Sequence, residues 1–256
     1  MTALMRKVLS ALPVIALLVA LPQEARAQAA AGRPFGQDSI IVSADRLMGL
    51  FSYASVTTSQ TIANVTTETT TSGPGLSVLL GGNRPRDLVH NIPRVSVDYA
   101  LSMHLTLGGS VPLAFGLGGK EETKAGNVTR SVDAPTTTIV GLAPRVGYIL
   151  NVSDTFAVWP RAGFAYYSAS EKATVRDNNN AEGTRTVTTS FVSIDLDPQL
   201  VITPFPHFGI TLGPVINVPI GGKIESETQF GSVKNSVEID SKAFHFGIAA
   251  GMLGYF

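Results

Sequence analysis

The fourteen residues AFHFGIAAGMLGYF, 243 to 256, sort by parity. Phe244, Phe246, Ile248, Ala250, Met252, Gly254 and Phe256 make one row, apolar apart from its glycine. The interleaved row, His245, Gly247, Ala249, Gly251, Leu253 and Tyr255, is smaller and more mixed. A period of two belongs to a β-strand, whose successive side chains point to opposite faces. Seven earlier segments repeat the pattern. The first lies near 40–54, with Leu47, Gly49, Phe51 and Tyr53 on one face; then come RVSVDYALS, HLTLGGSVPLAFGL, TTIVGLAPRVGYIL, TFAVWPRAGFAYY, FVSIDLDPQLVI and HFGITLGPVINVP. Repeated alternation over about ten residues, broken by turn residues, restricts the chain to an all-β fold and is the sign of a strand-built membrane barrel.

The connections decide the topology. Tight ones fall at 102–104, 151–154 and 203–207; long polar ones fall at about 55–91, 118–136, 168–188 and 220–240. Four long and three short links are what eight up-and-down strands give when every tight turn faces one compartment. The long links are rich in Thr and Val, which suits hairpins projecting above a bilayer. The stretch LSVLLGGNRPRDLVH reads as a loop or a short cap. Prolines 112, 144, 160, 198 and 214 fall inside strands, where each removes a ladder hydrogen bond, so a bulge or a local opening is expected at each.

The N-terminus follows a different logic. Arg6 and Lys7, an apolar run from Val8 to Leu21 and then Ala25-Arg26-Ala27 make a secretory signal peptide, 1–27, with cleavage after Ala27. Residues 28–37 are expected to form a short periplasmic tail and 38–256 the barrel. Of the 19 basic and 19 acidic groups, Arg6, Lys7, Arg26 and Glu24 leave with the leader, so the mature chain carries a net −2. That balance argues against general nucleic-acid binding. There is no cysteine, hence no disulfide frame and no thiolate metal site.

Alternation alone also fits a water-soluble barrel, so the character of the second face matters. Opposite the apolar rows stand mostly Gly, Ala, Ser and Thr with isolated charges, too few for a solvated surface. Asp98, Arg145, Arg161, Asp195 and Asp197 fall near mid-strand at similar depth. Charge facing lipid costs several kcal/mol, so these five are expected in the lumen, neutralising one another, with Arg46 a further candidate. Eight strands enclose a lumen just wide enough for side chains. The network then either fills the interior and fixes register or forms a narrow gate.

With its leader, strand and loop alternation and terminal aromatic strand, the chain resembles the eight-stranded outer-membrane barrels of the OmpA/OmpX type over roughly 38–256. The resemblance implies an eight-stranded antiparallel up-and-down transmembrane β-barrel in the bacterial outer membrane, monomeric, with termini in the periplasm and long loops extracellular. It implies outer-membrane lipids as partners, and the export and barrel-assembly machinery during biogenesis, which reads the C-terminal Phe256 as an assembly signal. Gly254 stands where such strands usually carry an aromatic, and Tyr255 is out of step. No wall-anchoring domain is implied.

Catalytic chemistry has little footing. Ser102 and His104 lie at a tight turn away from the outer leaflet; His90 with Asp87 has no nucleophile; His207 lies at a turn, and His245 is expected in the upper lumen. No His/Cys spacing suits a metal and no Gly-rich strand-to-helix loop suits a nucleotide, so no cofactor is expected. The expectation is a non-enzymatic structural or surface-exposed barrel. A narrow transporter of small solutes or apolar molecules, a lipid-modifying enzyme and a loop-mediated adhesin stand as alternatives.

Overall fold

A computed structural model describes residues 35–62, 65–76, 92–116, 119–125, 128–176 and 181–256. The leader, most of the 28–37 tail, and all of the 76–90 stretch but its first residue lie outside the described residues. The strands are β1 (Ile40–Ile62), β2 (Val65–Leu76), β3 (Arg94–Ala100), β4 (Leu105–Gly116), β5 (Gly119–Ala125), β6 (Val128–Ala134), β7 (Thr136–Tyr148), β8 (Leu150–Asn151), β9 (Phe156–Arg176), β10 (Glu182–Phe205), β11 (Phe208–Phe230) and β12 (Val233–Tyr255).

Eight of them close a ring in the order β1, β3, β4, β7, β9, β10, β11, β12 and back to β1, each pair antiparallel. Each ring strand is the sequence neighbour of the next, so the barrel is up-and-down, as the alternating links require. The remaining strands are accessory: β2 pairs with the upper part of β1, β5 with β6, and β8 with the foot of β9.

The described parts of all four long links are largely paired strand, β5 with β6 from Gly119–Ala134 to Ala125–Val128 among them. β9 and β10 stay in register out to Arg176 and Glu182 and β1 and β2 to Ile62 and Val65, while β11 and β12 shift register between Asn217 and Lys223 and then pair out to Phe230 and Val233. Cross-strand hydroxyl pairs such as Thr57 with Thr70 and Thr61 with Thr66, both 2.9 Å, explain how so polar a hairpin holds together. Ion pairs add to this between β11 and β12: Lys223 with Glu238 at 2.5 Å and Lys234 with Glu227 at 2.7 Å.

The strand prolines open the ladder without slipping it. Pairing of β4 with β7 lapses between Ser110 and Leu113, around Pro112. It lapses between β7 and β9 around Pro144, and between β10 and β11 around Pro198 and Pro214; the register resumes unchanged each time. Pro160 faces Pro198 across β9 and β10, whose alignment runs unbroken through both.

Parity decides the sides. Val95, Leu107, Leu142, Phe164, Ile210 and Met252 lie outward and exposed, while Ser96, Thr106, Ala143, Ala165, Thr211 and Leu253 are buried in the lumen. On β9 the outward apolar row runs from Phe156 to Tyr166, then gives way to Ser168 and Ser170. About 9–11 residues of a tilted strand cross a bilayer's hydrocarbon, which matches that row. The lumen fills in layers. At the short-turn end Phe35, Ile41, Ile149, Ala157, Trp159, Val201, Leu253 and Tyr255 form an apolar floor, and Ala143, Ala165 and Tyr167 pack together higher up. Charge lies between.

Candidate functional site

The five charges named from the sequence, Asp98, Arg145, Arg161, Asp195 and Asp197, are all buried in the lumen at mid-height. Three further charges join them: Asp45 and Arg46 from β1, and Arg94 from the start of β3, with Asp45 and Arg94 each only 1% exposed. Four acids and four bases alternate along one connected chain. Asp98 holds Arg145 at 2.5 Å, Arg145 reaches Asp45 at 2.5 Å, and Asp45 meets Arg161 at 3.1 Å. Arg161 passes to Asp197 at 3.4 Å, Asp197 to Arg46 at 3.2 Å, Arg46 to Asp195 at 3.3 Å, and Asp195 to Arg94 at 2.7 Å. Arg94 ends on the Tyr167 hydroxyl, to which it donates a hydrogen bond.

The chain is formally neutral, which is what a lumen of low dielectric requires. A buried ion left without its partner costs several kcal/mol. Arg161 is the only link between the Asp98–Arg145–Asp45 half and the Asp197–Arg46–Asp195–Arg94 half among these contacts. It also lies over the Trp159 ring, 4.7 Å from the centroid, with Arg145 at 5.7 Å.

Consecutive strand residues face opposite ways, so Asp45 and Arg46 should not both reach the lumen. They do so because β1 is bulged. Ala44 pairs with Met252 and Met48 with Ala250, leaving surplus residues between them, and Arg46 takes a positive φ of 55°. A bulge re-aims side chains. Asp45 turns towards Arg145 and Arg161, while Arg46 turns towards Asp195, Asp197 and the Asn217 Oδ1, 3.3 Å away. Asn217 lies 3.2 Å from Nδ1 of His245, which is buried in the lumen above the charges.

A void of about 10 Å³ lies beside Arg94, Ser110, Arg145, Arg161, Asp195 and Asp197, about the room one water needs. The floor beneath is tightly fitted. Trp159 donates from Nε1 to Thr106 Oγ1 at 3.1 Å, and a Cβ added at Gly147 would stand 2.4 Å from that nitrogen.

Residues weighed for catalysis have other employment. Ser102 Oγ accepts from the backbone N–H groups of His104 and Leu105, capping the turn, and His104 Nδ1 lies 2.9 Å from the carbonyl of Ile149. His207 takes a positive φ at the turn before β11, with Nδ1 2.9 Å from the Tyr255 carbonyl. His90 and Asp87 lie outside the described residues. Phe256 is exposed and closes the seam: its N–H and carbonyl each bond Ile40 at 3.0 Å.

A closed ring of eight strands, apolar outside and charged within, is a transmembrane β-barrel of the outer-membrane type. No protein-family model matches the chain, and no curated protein matches it. Among solved structures it is similar to the outer membrane protein OprG from Pseudomonas aeruginosa, with 7% identity, a TM-score of 0.47, and 86% of this chain and 97% of that one covered. It is also similar to the outer membrane protease OmpT from Escherichia coli (8%, 0.40, covering 90% and 99%) and to the outer membrane protein AlkL (13%, 0.37, covering 92% and 97%). These likenesses are distant, and the class of the chain rests on its own ring and on the sides its residues take.

Proposed function

We propose that the chain is a closed, non-enzymatic barrel of the bacterial outer membrane, which stands in the bilayer and presents its long hairpins to the outside. The short turns and both termini then face the periplasm. The observation that carries this reading is the alternating charge chain spanning the lumen at mid-height, with the aromatic floor below it and a void of about 10 Å³ beside it, room for about one water. A pore needs a continuous wet path, and each guanidinium and carboxylate here is ion-paired to a neighbour across the lumen instead. Ser102 and His104, two apart in sequence, are used in turn contacts, which favours a non-enzymatic role.

The test is conductance across planar bilayers. The purified protein should give no steps at neutral pH, whereas Arg145→Ala with Arg161→Ala, which empties the centre of the chain, should give small steps. Steady conductance from the unaltered protein would overturn the closed reading and favour a narrow solute passage. Unchanged lipid profiles in a deletion strain are expected; altered lipid A acylation would overturn the non-enzymatic one.

A further inference from the structure

Phe35 is buried to 1% exposure inside the short-turn mouth, although it precedes the first strand. Its ring meets Tyr255 edge-on at 5.1 Å and Trp159 at 5.9 Å, and it packs with Ile149, Val201 and Leu253. A tight turn delivers it there. Gly36 donates its N–H to Ser39 Oγ at 3.3 Å, Asp38 takes a positive φ of 65°, and the Asp38 N–H bonds the Ala100 carbonyl at 2.9 Å. The Asp38 carboxylate also accepts the Tyr99 hydroxyl at 2.7 Å. So residues 35–37, which the sequence reads as the end of a tail, carry Phe35 into the barrel mouth.

Tyr255 gains a purpose from this contact. It ends the inward row of the last strand, and its ring points into the lumen and holds Phe35. Tyr255 lies on β12 and Phe35 leads into β1, so their contact straddles the seam where the ring closes, Ile41 being aligned with Tyr255. Phe35 differs from its neighbours in the floor in one respect: every other member belongs to a strand or to the turn beside one, whereas Phe35 hangs on a short turn with no ladder of its own.

We propose that Phe35 is a releasable stopper, a side chain of the chain's own N-terminal segment bound in an aromatic pocket at the barrel mouth, and that it forms a second barrier in series with the charge chain. Its attachment lets it leave without unzipping any strand pair. Its departure bares Trp159, the single tryptophan of the chain, to solvent from below while the charges above stay shut. The seam at Tyr255 loosens with it.

Trp159 therefore reports the stopper directly, through quenching of its fluorescence by acrylamide in folded, detergent-solubilised protein. Phe35→Ala removes one buried aromatic side chain, which should raise the population of the open mouth on the order of ten- to a hundred-fold. Quenching should rise accordingly. Phe35→Leu, which keeps an apolar side chain and serves if the alanine variant does not fold, should show a smaller rise. Conductance separates the two barriers: Phe35→Ala alone should stay silent, and Phe35→Ala with Arg161→Ala should conduct more than Arg161→Ala alone. Quenching that matches the unaltered protein in the folded variants, or a double variant that conducts no better than Arg161→Ala, overturns the proposal. Conductance by the unaltered protein would instead count against the closed barrel, so the two failures are distinguishable.

Discussion

Arg161→Met tests whether the lumen is as dry as the charge chain requires. The substitution keeps an apolar stem over Trp159 and removes a guanidinium that touches both Asp45 (3.1 Å) and Asp197 (3.4 Å). Deleting one member of a buried ion pair costs about 3–5 kcal/mol, chiefly because the other is left charged and poorly compensated. Here Asp45 keeps Arg145 and Asp197 keeps Arg46, so the lower end applies, about 3 kcal/mol. At about 1.4 kcal/mol per tenfold, that is roughly a 150-fold shift in the unfolding constant. Urea unfolding in micelles, followed by heat-dependent gel mobility and by Trp159 emission, measures it. Lys223→Met is the control. That pair is shorter, 2.5 Å to Glu238, but it lies on an exposed hairpin where water and salt screen it, so its loss should shift the midpoint hardly at all. Adding Asp45→Asn to Arg161→Met restores formal neutrality, and the pair should be less harmful than the two costs added, by about 0.5–3 kcal/mol. If Arg161→Met costs no more than Lys223→Met, the lumen is solvated and the reasoning fails.

Ala162→Arg places charge on the outward face near the middle of the apolar row and should destabilise the barrel in lipid vesicles by about 2–4 kcal/mol, whereas Ser168→Arg, at the edge of that row, should cost about 0–1 kcal/mol. Arg46→Val should cost about 1–2 kcal/mol more than Arg46→Asn in the same unfolding assay, since both lose the ion pairs but only the β-branched residue resists the positive φ. Gly147→Ala should press on the Trp159 indole, break its bond to Thr106 and cost about 1–3 kcal/mol, seen as a changed Trp159 emission and a lowered unfolding midpoint.

How much of this was legible in the sequence follows from parity. Strand number, strand order and the side taken by the apolar rows after β1 follow from a period of two, because one face had to meet lipid and a slip of one residue would invert every side chain. In β1 a second register shift puts Gly49 opposite the inward Ala249 and Phe51 opposite the outward Ile248, so Leu47, Gly49, Phe51 and Tyr53 do not keep one face. Arg94 was equally legible: it shares parity with Ser96 and Asp98, and only its place at the strand edge hid it. The long links hid their strands for a different reason, since Thr-rich hairpins above a bilayer have no apolar row to mark their period, although their pairing continues that of the barrel. Phe35 was hidden because a single aromatic in a tail carries no period at all.

Asp45 and Arg46 are the instructive pair. Strict alternation sends one of two adjacent charges into lipid at a cost of several kcal/mol, and no acid or base stands beside them in sequence to offset it. That conflict is itself a signal. Two adjacent charges inside an otherwise apolar alternating strand imply that the alternation breaks between them, and a bulge is the cheapest break that leaves the ladder intact on either side. The positive φ at Arg46 and the surplus residues opposite Ala250 and Met252 are that break. By the same logic Asp195 and Asp197, two apart in an unbroken stretch, need no bulge to share the lumen, and they have none. The bulge in β1 gives the first strand two of the eight charges, and through Arg161 and Arg46 it ties that strand to β9 and β10 across the lumen. A first strand held this way stays in register while it receives β12 at the seam.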